Sequence, residues 1–119
     1  MQHNNEIKLE KQGEVTILDV RGDITSFSES FLNQAYQEAN DQFARKILLK
    51  IEQDAYINSG GIALLIQIMA QIKRNNQMVA IAGISEHFKK IFNMVGITKF
   101  AKIYDTVEVA VATMAADPK

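Results

Sequence analysis

Ser59 is the residue best placed for chemistry. It precedes Gly60-Gly61 at the start of a helical stretch, so small neighbours leave its hydroxyl unshielded, and helix-start N–H groups would tolerate a phosphoryl group. Phosphorylation would add a charge of about −1.5 to −2 beside Ile62 and an apolar helix. If that surface docks a partner, the modification opposes docking by desolvation and repulsion. The alternative is that Ser59 or Asn58 merely caps the helix.

Other candidates are weaker. His3 sits near the N-terminus, and His87 falls on a first helical turn among Glu86, Lys89 and Lys90. No second histidine or suitably spaced carboxylate offers a metal site or a triad. Asp19, Asp23, Glu52 and Asp54 fall at strand ends, but paired-carboxylate catalysis depends on a separation that spacing alone does not define. Gly60-Gly61 lacks the Lys-Ser/Thr ending of a phosphate-cradling loop and the third glycine of a dinucleotide fingerprint, which leaves a tight strand-to-helix turn. With no cysteine, disulfides, thiolate metal sites and thiol catalysis are excluded. The expectation is a binding module rather than an enzyme, with no metal and no cofactor.

The elements that hold these residues alternate between two periods. Ile7 to Glu10 and Val15 to Val20 alternate apolar with polar side chains, and Gly13-Glu14 between them reads as a hairpin turn. Ser26 and Glu29 have capping-box spacing ahead of Phe31, Ala35, Ala39 and Phe43, an amphipathic helix. Lys46 to Glu52 and Met78 to Ala82 are continuous apolar runs, as central strands buried on both faces require.

Between those strands, Ile62 to Arg74 reads as a helix whose apolar residues span roughly 220° of arc. Gln67, Gln71, Arg74 and Asn75 mark its wet side, with Leu64 exposed among them. Ser85-Glu86 opens a helix carrying Phe88, Ile91, Phe92 and Val95, which stops at Gly96. Lys102 to Tyr104 reads as a short strand. Asp105 with Glu108 is expected to cap a last helix bearing Val107, Val111 and Met114. This alternation predicts an α/β fold: one domain over residues 1–119, structured from about 7 to 114, with a mixed sheet of about five strands and about four helices.

Composition fits a small binding domain. The 119 residues suffice for one sizeable core. The longest uncharged apolar stretch, Met78 to Ile84, is far short of the roughly 20 residues that span a bilayer, so no membrane insertion is expected. No basic segment followed by an apolar one opens the chain, which makes a cytoplasmic protein the expectation. The net charge of −1 argues against direct nucleic-acid binding. Residues 1–60 carry a net −4 and residues 61–119 a net +3, a division compatible with docking another protein.

Three features together resemble the STAS domain of bacterial anti-sigma factor antagonists: the order of elements, the turn Tyr56-Ile57-Asn58-Ser59-Gly60-Gly61-Ile62, and the segment Phe92-Asn93-Met94-Val95-Gly96-Ile97. The resemblance runs from about Ile7 to Met114. It implies a non-enzymatic partner-switching regulator that binds a serine-kinase type of anti-sigma factor, is released when that kinase phosphorylates Ser59, and is restored by a serine phosphatase. It also implies a binding surface of Asp23, Thr25, Ser26, Asn58, Ser59, Gly60, Gly61, Ile62 and Leu64. Two positions depart from the family pattern: Asn58 stands where Asp is usual, and Gly60 where a second Ser or Thr is common. Those departures motivate the alternative of an unphosphorylated scaffold, or a subunit of a signalling assembly or lipid-transport system.

Overall fold

The computed structural model describes residues 5–118, so His3 lies outside the described residues. In chain order the elements are β1 (Glu6–Gln12), β2 (Val15–Arg21), a 3-10 turn (Ser26–Ser28), α1 (Glu29–Asp41), β3 (Lys46–Ile51) and α2 (Ser59–Arg74). Then come β4 (Met78–Ala82), α3 (Glu86–Met94), a second 3-10 turn (Ile97–Lys99), β5 (Lys102–Tyr104) and α4 (Val107–Ala116). The expected α/β architecture is present, with five strands and four helices among the described residues.

The strands lie side by side in chain order, β1-β2-β3-β4-β5. The β1–β2 hairpin is antiparallel, and every later neighbour is parallel. β3 is therefore central, which explains why Ile47, Leu48 and Leu49 are all buried: alternate side chains enter different cores. One sheet face sends Leu18, Val20, Ile47, Leu49 and Ile81 into the main core with side chains from α1, α2 and α3. The other face, with Val15, Ile17, Leu48, Ala80 and Ala82, packs against Ala110 and Met114 of α4.

A polar cluster closes the lower end of the main core. The Tyr36 hydroxyl donates to Gln77 Oε1 at 2.6 Å, and Gln77 Nε2 donates to Asn40 Oδ1 and to the Ala44 carbonyl, each at 2.7 Å. Lys46, 3% exposed, donates to the Asp117 carbonyl at 2.6 Å and faces Glu14 Oε2 at 3.3 Å. Its charge is thereby compensated, as burial demands.

Several local expectations need correction. The capping residue ahead of α1 is Thr25, not Ser26, and it caps the 3-10 turn rather than α1 itself, whose N-cap position Ser28 makes no side-chain cap bond: Thr25 Oγ1 accepts from Phe27 N and Ser28 Oγ accepts from Thr25 N, each at 3.1 Å. Phe43 is not on the apolar face of α1. The helix has ended, Phe43 has a φ of 60° and is 88% exposed, and Leu32, Ala35, Tyr36 and Ala39 form the buried face. Thr106, not Asp105, caps α4 by accepting from Val109 N. α3 behaves as expected at both ends, since Ser85 accepts from Phe88 N and Gly96 has the left-handed φ of 82° that a C′ residue needs. Val95, however, is 46% exposed rather than packed.

Candidate functional site

α2 begins at Ser59, three residues before the expected Ile62, because Asn58 already caps it: Asn58 Oδ1 accepts from Gly61 N at 2.8 Å. Ser59 is thus the first helical residue, and it is exposed. Among the described residues its hydroxyl has no hydrogen-bond partner. Asn58 satisfies the third amide of the helix, and among the described residues the N–H groups of Ser59 and Gly60 have no acceptor.

A second loop is locked against this turn. Ile24 N donates to the Tyr56 carbonyl at 2.9 Å and Asn58 N donates to the Ile24 carbonyl at 3.2 Å, a one-residue parallel bridge between Ile24 and Ile57. Asp23 Oδ1 accepts from Tyr56 N at 2.9 Å, and Glu52 Oε1 accepts from Gly22 N at 2.7 Å. The contact is too close for any side chain at position 61, where a Cβ would lie 2.1 Å from the Ile24 carbonyl oxygen. Gly61 is therefore the residue that lets α2 start against the 22–26 loop.

The strand-end carboxylates are occupied structurally. Asp23 and Glu52 tie loops, while Asp19 holds Arg21 at 3.3 Å and lies 4.0 Å from Lys50. Its hydrogen bond raises the Arg21 pKa further above the ordinary range. Asp54 is exposed. Among the described residues no three His, Asp or Glu side chains converge on a point where a metal could sit. His87 is exposed and meets the Phe88 ring edge-on at a centroid distance of 5.1 Å.

Of the residues expected to form the surface, the structure brings together Asp23, Thr25, Ser26, Asn58, Ser59, Gly60, Gly61 and Ile62. Leu64 does not join them. It is 5% exposed and belongs to the main core. α2 is buried along Leu64, Leu65, Ile68 and Ile72 because the turn before α1 packs on one flank and the sheet lies beneath. The flank on the same side of the helix as Ser59 carries exposed Ala63 and half-buried Ile62, Ile66 and Ala70, with Ile62 and Ile66 resting partly against the main core. Tyr56, 61% exposed, adds an aromatic ring beside the turn and packs edge-on to Phe88. Sequence reasoning included the helix from Ile62 to Arg74 and the turn from Tyr56 without singling out Ala63, Ile66 or Tyr56. Their signal was an apolar arc too wide for one helix to bury, and an aromatic residue in a polar loop.

The sequence matches the STAS domain family over residues 6–110. The chain belongs to that family. Solved structures share the STAS fold at low identity. A crystal structure described as a candidate anti-sigma factor antagonist from Thermotoga maritima has a TM-score of 0.78 at 18% identity, covering 92% of this chain and 94% of that one. An anti-sigma factor antagonist from Mycobacterium paratuberculosis gives 0.77 at 15%, with coverages of 94% and 95%. The Bacillus cell fate determinant SpoIIAA in its phosphorylated form gives 0.63 at 17%, with coverages of 91% and 98%. Within this STAS domain, Phe92 and Ile97 are fully buried around the left-handed Gly96, so the second resembling segment stops α3, and it leaves Met94 and Val95 exposed.

Proposed function

We propose that this STAS domain is an anti-sigma factor antagonist, a non-enzymatic cytoplasmic regulator that switches partners. In its unmodified form it binds a kinase-type anti-sigma factor through the Ser59 turn, the Asp23 to Ser26 loop and the solvent flank of α2. The kinase phosphorylates Ser59 and a serine phosphatase reverses the modification. The observation that carries this reading is Ser59 itself: an exposed hydroxyl with no internal partner, on the first residue of a capped helix, next to Ile62, Ala63 and Ile66. A dianion there would have to be desolvated against apolar contacts before a partner could dock. Family membership and a solved relative in a phosphorylated form support it.

The test is incubation of the chain with the cognate kinase and ATP, followed by intact-mass and peptide mapping. The expected result is a gain of about 80 Da at Ser59, absent in Ser59→Ala, and partner affinity at least about tenfold weaker for Ser59→Asp. No gain at Ser59 together with unchanged affinity for Ser59→Asp overturns the switch. Recovery of transporter or assembly subunits from native lysate, without an ATPase-domain protein, favours the scaffold reading that Asn58 and Gly60 motivate.

A further inference from the structure

Far from Ser59, at the other end of α2, lies a cleft of about 640 Å³. The 16 residues of α2 separate the two by about 24 Å at 1.5 Å per residue. The cleft is walled by Met78 at the start of β4, Phe100 ahead of β5, Tyr104 at its end, and Met114 of α4. Its volume is typical of small-molecule sites, which run from roughly 300 to 1,000 Å³.

The rim is cationic. Arg45, Lys73, Lys99 and Lys102 line it, against one acidic residue, Asp117. Among the other described cations, Lys8, Arg21, Lys46, Lys50 and Lys89 each face a carboxylate, whereas Lys11, Arg74 and Lys90 stand singly at separate surface positions. Among the described residues the four rim cations have no ion-pair partner. The negative end of the α2 dipole explains Lys73, which sits in its last turn. It does not explain Arg45 before β3, Lys99 in a 3-10 turn or Lys102 opening β5. Of the uncharged polar groups in the lining, the Gln77 amide is already bonded to Tyr36, Asn40 and Ala44 and the Thr113 hydroxyl to the Val109 carbonyl, while Asn76 and Thr98 also line the cleft. The cleft therefore offers unpaired positive charge and the polar side chains of Asn76 and Thr98 beside an apolar wall of Met78, Phe100 and Tyr104.

We propose that this cleft binds a small organic phosphate, its charged group between Arg45, Lys99 and Lys102 and its apolar body against Met78, Phe100 and Tyr104. A guanidinium fork and two ammonium groups match a phosphate dianion, and the aromatic wall separates such a ligand from a bare ion. The site is independent of the Ser59 reading.

The test is an amide NMR titration of the full chain with phenyl phosphate, inorganic phosphate, phenol and vesicles containing an anionic phospholipid. Saturable shifts at Val79, Ala80, Phe100 and Ala101 are expected with phenyl phosphate, at an affinity at least about tenfold above those for inorganic phosphate and phenol. Lys99→Gln, or Arg45→Gln with Lys102→Gln, should weaken binding by about tenfold or more while the remaining spectrum stays unchanged. The proposal is overturned if nothing saturates, if inorganic phosphate binds equally well, if the shifts centre on Ser59, if the variants bind normally, or if only vesicles bind.

Discussion

Each residue of the Ser59 region has a separable physical role. Leu64→Ala should cost about 2–5 kcal/mol of stability in urea unfolding, because it empties a core position. Ala63→Arg, on the exposed flank, should move stability by less than about 0.5 kcal/mol while weakening partner binding in calorimetry. That contrast separates core from surface on one helix. The sequence could not make the separation for Leu64, since Gln67, Gln71 and Asn75 placed it on the wet arc and only the packing of the turn before α1 covers it. Ser59, by contrast, was legible, because glycines after a serine at a helix start expose it whatever packs nearby. Gly61→Ala should destabilise by about 1–3 kcal/mol, read as a lower thermal midpoint, since its Cβ would meet the Ile24 carbonyl.

At the scale of elements, periodicity located strands and helices well and their ends less well. β4 and β5 fall on the expected residues, since a continuous apolar run and a short apolar segment after a helix stop have few alternatives. The caps before α1 and α4 were each misplaced by one residue. Ser26 and Asp105 are good caps by type, but the backbone turns at Thr25 and Thr106, and side-chain type alone does not choose between adjacent candidates. Phe43 shows the same limit at a helix end, where four-residue spacing continued the pattern one step past the last turn. Its left-handed backbone and exposed ring predict that Phe43→Gly raises stability by about 1 kcal/mol, measurable as an increased urea midpoint.

For the whole molecule, we propose a single cooperative domain, because the central strand β3 contributes to both cores and neither face of the sheet can be lost alone. Fluorescence-free probes such as far-UV circular dichroism and amide exchange should report one coincident urea transition, and two separated transitions would refute it. The charge division between chain halves proved the least informative sequence feature. Charge counted along the chain takes no account of which groups pair, whereas the rim cations gather from four separate segments of the fold.

The side-by-side order of the strands has a consequence for synthesis. A sheet whose neighbours follow one another in the chain can grow strand by strand as the polypeptide emerges, with no early segment waiting for a distant partner. The face bearing Ile17, Leu48 and Ala80 nevertheless stays bare until α4, made after all five strands, arrives to cover it. The nascent domain is therefore exposed to sticking on that face until α4 has left the ribosome.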